Sequence, residues 1–313
     1  MILSVSQRTD IPSFYGDWFI NRIKEGYLHV KNPYNFNQIS HINLSPEIVD
    51  CIVFLTKNPI PFMNKLEYLE KYKYFFHFTI TPYGKDIERN IPNKKEAIIP
   101  AFKKLSNLLG KEKMVLRYDP IFLTKKYTIE YHLRAFEYII KELHKYTKKV
   151  VISFIDMYKK VIENTGNIGL NPLEMEHMIL IGKGLGDIAK SYNINIVSCV
   201  DKINLEEYGI ERGTCIDREY IENIVGSPLK DTKLNRTRKN CSCMDRYDVG
   251  TYNTCKNGCI YCYANNSQEM VNNISNFYKK ESTILCSQIS KDATISISKH
   301  QSLKINQKNL FGI

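Results

Sequence analysis

The stretch "CIVFLTKNP", residues 51–59, contains the pattern on which the predicted fold rests. Its first six residues are apolar or β-branched and do not alternate with polar ones, which is typical of a strand buried on both faces of a parallel sheet. Polar residues and a proline follow where such a strand would leave the sheet. The helical pattern "NKLEYLEKY" comes next. The stretch therefore predicts one strand–helix unit.

The same unit recurs through the first 200 residues. Further strands are predicted at "ILSVS" (2–6), "YFFHFTI" (74–80), "KMVLRYD" (113–119), "KVVISF" (149–154) and "INIVSC" (194–199). Helical patterns lie between them, at "DWFINRIKEGY", "KKEAIIPAFKKLSNLLG", "IEYHLRAFEYIIKELHKY" and "PLEMEHMILIGKGLGDIAKSY". Repetition of this kind predicts an α/β fold with a parallel sheet. Six units favour a partial or full (β/α) barrel over a small open sheet.

Four of the predicted strands end in polar residues with a proline close by. The segments are "QRTDIP", "TKNP", "TPYG" and "DPIF". Turn chemistry alone explains one such segment. Four in succession favour a functional site, because the carboxyl ends of parallel strands build the active sites of these folds.

The composition of the 313 residues is that of a soluble globular protein, with 43% hydrophobic and 25% charged residues. We find neither an apolar run of about 18 residues nor a secretion signal, so we expect a cytoplasmic protein without a membrane span. The formal charge of +11 favours an anionic partner such as nucleic acid. Much of the excess, however, lies in lysine-rich segments typical of solvated helix faces.

Cysteine is clustered late in the chain. The nine cysteines are Cys51, Cys199, Cys215, Cys241, Cys243, Cys255, Cys259, Cys262 and Cys286, and five of them fall between positions 241 and 262. A reducing cytosol disfavours disulfides, so this clustering indicates metal or redox chemistry.

The loop "YNTCKNGCIYCYANN" spaces three cysteines, Cys255, Cys259 and Cys262, as C-x₃-C-x₂-C. A structural zinc ion takes four ligands, and a fully ligated iron–sulfur cube also takes four. Three thiolates can hold three corners of a [4Fe-4S] cluster and leave one iron open to a ligand. Gly258 would let the loop turn tightly around the cluster.

This loop resembles the cluster loop of radical S-adenosylmethionine (SAM) enzymes, in particular the spore photoproduct lyase-like group, in its "Y-C-Y-A" ending at Ala264. The resemblance implies that SAM chelates the open iron. Reduction by a one-electron donor such as flavodoxin or ferredoxin then splits SAM into methionine and a 5′-deoxyadenosyl radical, which abstracts a hydrogen atom. No segment resembles the hydrogen-donor cysteine or the DNA-binding hairpin of the lyase.

The superfamily carries this loop near its N-terminus, whereas here it lies near the other end. "LSVSQRTDIPSFY", "IVFLTKNPIPF" and "VLRYDPIF" resemble later strand segments of the lyase-like proteins, in the same order. The resemblance therefore implies a circularly permuted TIM-type barrel, with the tail "DATISISK" as the strand after the loop. The whole chain resembles domain-of-unknown-function family 1848. We expect barrel units over residues 1–200 and a cysteine-rich segment over residues 201–313, in a single integrated domain.

The resemblance also suggests which residues bind SAM. Thr56 and Lys57 would lie near its amino and carboxylate groups, and Thr79 or Thr81 together with Arg117 would face it. Cationic donors such as Lys and Arg suit a carboxylate.

Four further cysteines, Cys199, Cys215, Cys241 and Cys243, precede the loop. Four is the number that closes a second [4Fe-4S] cluster or a zinc site, and independent thiols are the remaining interpretation. Cys51 is predicted to be a small core residue. Cys286 is not assigned.

The sequence thus predicts a radical SAM enzyme that abstracts hydrogen from an unidentified substrate, nucleic acid or another anion. The alternative is a non-catalytic protein that binds nucleic acid with a zinc or iron–sulfur module. The basic segment 230–246 either guides an anionic substrate or is a solvated loop over the cluster.

Overall fold

The computed structural model describes residues 1–199, 203–232, 241–297 and 300–305. The strands, in chain order, are β1 (Ile2–Val5), β2 (Tyr27–Lys31), β3 (Gln38–Asn43), β4 (Cys51–Thr56), β5 (Tyr74–Thr79), β6 (Met114–Ile121), β7 (Lys149–Phe154), β8 (Asn195–Cys199), β9 (Glu211–Gly213), β10 (Tyr247–Asp248) and β11 (Thr294–Ile297). The six strands predicted from the sequence are confirmed, with ends that differ by at most two residues.

Eight of these strands form one parallel sheet in the order β10-β1-β4-β5-β6-β7-β8-β9. From β1 to β9 the spatial order follows the chain order without a reversal. β10 comes last in the chain and pairs with the outer edge of β1, so the part of the chain after residue 200 supplies both edge strands. The α/β class is therefore confirmed. Within the described residues β9 and β10 do not pair with each other, and no closed barrel is observed.

The helices are α1 (Ile11–Phe14), α2 (Gly16–Glu25), α3 (Ile99–Leu109), α4 (Ile129–Leu143), α5 (Lys159–Thr165), α6 (Met175–Ser191), α7 (Arg218–Val225) and α8 (Gln268–Ser275). The α4 helix shows why they form where they do. The Thr128 side chain caps it by accepting from the Tyr131 amide at 3.2 Å, and Phe136, Ile140 and Leu143 lie on its buried side.

Two predicted helices differ in type from ordinary α-helix. Ile60–Leu69 is a 3₁₀ segment that begins just after Pro59. Lys94–Ile98 is a π turn that leads into α3. Pro100 has no amide hydrogen to continue the α-helical bonding pattern at the start of α3, which explains the wider turn before it.

The two faces of the main sheet are covered differently. Helices α2, α3, α4 and α6 bury one face, where side chains such as Phe54 and Phe76 belong to the larger apolar core. The alternate side chains, including Val53 and Val115, form a second core with α7 and with a segment that contains Cys241 and Cys243. The cysteine-bearing part of the chain therefore covers the face opposite most of the helices.

The chain tail belongs to a separate sheet of β11, β3 and β2. There Ile295 of β11 pairs in parallel with Ile39 of β3, so the expectation that this strand follows the cysteine loop within the main sheet was wrong. All four residues of β11 are exposed. Its alternating sequence is that of an edge strand facing solvent, whereas a strand of the main sheet would be apolar on both faces. Positions 298 and 299 lie outside the described residues.

Among the described residues, no helix combines the length and apolar character that a membrane crossing requires.

Candidate functional site

The three-cysteine loop leaves the main sheet directly after β10. The Val249 amide donates to the Ser4 carbonyl at 3.1 Å, so the loop starts beside the end of β1. The loop closes on itself where the Asn253 amide donates to the Ala264 carbonyl at 3.0 Å. Gly258 has a φ of +66°, and a Cβ there would come within 3.0 Å of the Asn90 side chain. Glycine is therefore favoured at this turn.

One wall of the site is organised around the buried carboxylate of Asp10. It accepts from the Thr56 hydroxyl at 2.7 Å, the Lys57 amide at 2.8 Å and the Asn257 side chain at 2.9 Å. It also caps α1 through the Ser13 amide at 3.1 Å. Asp10 follows β1, Thr56 ends β4, and Asn257 belongs to the cysteine loop. Two of the predicted strand-end segments and the loop thus meet at one side chain.

A second wall of the site is organised around Glu88, which is 1% exposed. Its carboxylate accepts from Lys57 Nζ at 2.8 Å, Thr81 Oγ1 at 2.8 Å and Lys94 Nζ at 2.5 Å, and also from the Tyr261 hydroxyl. Burial by itself raises the pKa of Glu88, but the two ammonium groups outweigh it and lower the pKa to about 2. Glu88 therefore stays ionised between two lysines.

The Glu88 segment also holds the backbone of the cysteine loop. The Ile260 amide donates to the Ile87 carbonyl at 3.0 Å, and the Asn90 amide donates to the Asn257 carbonyl at 3.1 Å. These contacts place Cys259 opposite Glu88 in a short antiparallel bridge. The loop is therefore fixed on both sides.

The three loop thiols are half-buried and lie near one another. Burial raises the pKa of Cys255 to about 12, and the carboxylate of Asp10 adds to the effect. Burial likewise raises the pKa of Cys262, and burial together with Glu88 raises that of Cys259, against the opposing charge of Lys57. Without a metal the three groups are thiols, and binding of a metal there would release protons.

The five residues suggested for SAM fall in different places. Lys57 and Thr81 lie beside the loop, on Glu88. Thr56 is bonded to Asp10, and Thr79 is half-buried at the end of β5. Arg117 instead donates to Cys215 Sγ at 2.9 Å and to Asp119 at 2.5 Å. The structure thus brings Thr56, Lys57 and Thr81 to the two carboxylates that contact the loop, and places Arg117 at the other thiol group.

Sequence reasoning missed Glu88 and Lys94. Both lie between β5 and α3, and Lys94 begins the segment that the sequence predicts to be helical. Neither residue belongs to a segment that the sequence singles out for the site. A single sequence carries no signal for the contact between Lys57 and Glu88, because that contact depends on the pairing of strands β4 and β5.

The four upstream cysteines are all buried in the second core. Cys199 Sγ and Cys215 Sγ lie 3.1 Å apart. Hydrogen bonds from the Cys199 and Cys243 thiols, together with Arg117, hold the pKa of Cys215 well below its usual range. Cys199 and Cys215 therefore contact each other, and Cys241 and Cys243 lie in the same apolar cluster.

In the described part of the chain, no three His, Cys, Asp or Glu side chains are already set around a single metal ion.

Comparison with known proteins gives a family. The model of the family described as "Domain of unknown function (DUF1848)" matches residues 2–264. The chain belongs to the DUF1848 family. The match includes both cysteine groups and ends two residues after Cys262. No curated protein and no solved structure matches the chain significantly.

Proposed function

We propose that this DUF1848 protein is a radical SAM enzyme whose SAM-binding [4Fe-4S] cluster is held by Cys255, Cys259 and Cys262. The observation that carries the proposal is the position of the loop. Its three half-buried thiols lie at the carboxyl ends of β1 and β4, where parallel α/β folds bind their substrates. A set of three leaves one iron without a protein ligand.

The strand order supports the permuted arrangement. β10 precedes the loop and is last of the main-sheet strands in the chain, yet it lies outside β1 at the sheet edge. Across the main sheet, the order of strands therefore begins with β10, the strand that leads into the loop, as in the lyase-like proteins. In this proposal the open sheet is a partial (β/α) barrel.

The surrounding residues would serve three purposes. Lys57, whose charge acts on Cys259, would offset the negative charge of the thiolates. Glu88 fixes the position of that ammonium group at 2.8 Å. The ring of Tyr261 packs against Tyr83 and Phe122, with centroids 5.9 and 5.7 Å away, and would limit the access of water to the loop.

The bound cluster and SAM would supply reductive cleavage of SAM and a 5′-deoxyadenosyl radical. The proposal requires a one-electron donor of the flavodoxin or ferredoxin type. The substrate class follows only from the net charge of +11, which favours an anion such as nucleic acid. Part of the basic segment, residues 233–240, lies outside the described residues.

The test is anaerobic reconstitution with iron and sulfide, followed by dithionite and SAM. We expect 5′-deoxyadenosine from the wild type and from Cys51→Ala, which removes a fully buried thiol at the start of β4 that belongs to neither proposed ligand set. Cys259→Ala should form none. A wild-type protein that takes up a cluster but neither cleaves SAM nor changes its spectrum with SAM would overturn the proposal and favour a non-catalytic, nucleic-acid-binding role.

A further inference from the structure

The second thiol group is assembled from three separate parts of the chain. Cys199 ends β8, Cys215 lies two residues after β9, and Cys243 precedes β10. Their exposed fractions are 4%, 8% and 2%, and Cys241 is 6% exposed. Clustered buried thiols in a reducing compartment point to a bound metal more than to a disulfide.

The spacing of the sulfurs distinguishes one ion from a cube. A tetrahedral ion with metal–sulfur bonds of about 2.3 Å holds its ligand sulfurs about 3.8 Å apart. In a [4Fe-4S] cluster each cysteine binds a different iron, so the four sulfurs are spread over the corners of the cube. Cys199 Sγ and Cys215 Sγ are 3.1 Å apart, and Cys241 and Cys243 lie in the same buried cluster. The described side chains are not set around a single ion, so binding of an ion would require these thiols to rotate towards a common centre.

The surroundings of Cys215 give independent support. The nearly buried guanidinium of Arg117 divides its donors between Cys215 Sγ and the Asp119 carboxylate. N–H donors to a ligating sulfur are a common outer shell of thiolate metal sites. On the other side, His77 Nε2 lies 2.6 Å from the Cys215 carbonyl oxygen, so it fixes the backbone that carries this thiol. His77 Nδ1 is buried and has no hydrogen-bond partner among the described residues, which marks a polar lining within this otherwise apolar core.

We propose that Cys199, Cys215, Cys241 and Cys243 bind a single tetrahedral zinc ion. Four thiolates close the coordination shell, so the ion would have no open position for a substrate. Its role would be to tie β8, the turn after β9 and the 241–244 segment to the sheet face opposite the helices. This site does not depend on the proposed SAM chemistry, since it shares no cysteine with the loop.

The test separates the two groups. In the full-length Cys255→Ala, Cys259→Ala, Cys262→Ala triple variant, zinc, iron and sulfide are measured after purification. We expect about one zinc per chain, with iron and sulfide absent. Adding Cys215→Ser should lower the zinc at least tenfold, whereas adding Cys51→Ser should leave it unchanged. About four irons with sulfide in the triple variant would overturn the proposal in favour of a cluster. A metal-free protein would overturn it as well.

A second measurement covers the case in which Cys215→Ser does not fold. The triple variant is unfolded, stripped with chelator and refolded with Co²⁺ alone. One equivalent of cobalt should give intense thiolate-to-cobalt absorption and the visible bands of tetrahedral cobalt. Weak octahedral bands, or no saturable binding, would contradict the site. Wild-type protein that keeps its zinc but cleaves no SAM would reject the proposed enzyme and leave the zinc site standing.

Discussion

The two cysteine groups of this protein differ in how the chain assembles them. The loop group takes three thiols from eight consecutive residues, 255–262, and leaves them half-buried between two charged walls. The second group takes its thiols from strand ends and a connecting segment, and buries them in contact with one another inside an apolar core. A locally spaced set suits a cofactor with an open corner. A set collected from distant positions suits a closed structural site.

The largest expected effect concerns activity and separates the groups. Cys255→Ala removes one corner ligand of the proposed cluster, so iron uptake at the loop and SAM cleavage should both fall to background. Cys199→Ala should keep SAM cleavage when assayed below its lowered melting temperature, because it belongs to the other group. Iron content and 5′-deoxyadenosine are the measurements. If both variants lost cleavage equally, with Cys199→Ala still folded, SAM cleavage would depend on both cysteine groups and not on the loop group alone.

The second expected effect concerns stability, and here a substitution in the second group should cost more than one in the loop group. Cys243→Ser should lower the free energy of unfolding by about 3 kcal/mol or more, because it removes a ligand from a buried site and disturbs the thiolate that faces Arg117. Cys262→Ser lies in a half-buried loop and should cost less than about 1 kcal/mol in cluster-free protein.

Urea unfolding of both variants, each without a reconstituted cluster, measures this difference. A loss for Cys262→Ser as large as that for Cys243→Ser would show that the loop thiols are equally structural.

The strands that carry the two cysteine groups could be predicted from the sequence, but the ion pairs around Glu88 could not. The six strands were predictable because short, uninterrupted apolar runs such as residues 51–56 are typical of strands buried on both faces of a parallel sheet. The contact of Lys57 with Glu88 was not, since it needs the register of β4 on β5 and the path of the chain after β5. The β11 strand was assigned to the wrong sheet, because a period of two indicates a strand but not its partner.

The third expected effect tests the charged wall of the loop group through pH. Because Glu88 has its pKa lowered from 4.5 to about 2, its ionised form stabilises the fold above pH 4.5, and this contribution is lost as the pH falls towards 2. The shift corresponds to about 3 kcal/mol. Glu88→Gln should therefore be less stable than the wild type by about that amount at pH 7, and the difference should shrink between pH 4.5 and 2.

Urea unfolding at a series of pH values measures this difference, with exposed Glu47→Gln as the control. A gap between wild type and Glu88→Gln that stays constant down to pH 2 would show that the charge of Glu88 does not stabilise the fold.

The smallest expected effect lies in the same wall. Tyr261→Phe keeps the ring against Tyr83 and Phe122 but removes the hydroxyl that donates to Glu88. The loss of one hydrogen bond to a buried carboxylate should cost about 1.5 to 3 kcal/mol. SAM cleavage should change only a few-fold, because Lys57 and Lys94 still hold the carboxylate in place.

The matched control is Tyr263→Phe, two residues further along the same loop. Its hydroxyl donates to the Gln7 carbonyl at 2.6 Å from an exposed position, so its removal should cost less than about 1 kcal/mol. Thermal or urea unfolding of the pair compares a buried and an exposed tyrosine of one segment. If the two variants lose equal stability, the Glu88 wall contributes no more than the loop surface, and the rigidity assigned to the loop group must come from the Asp10 side, through Asn257.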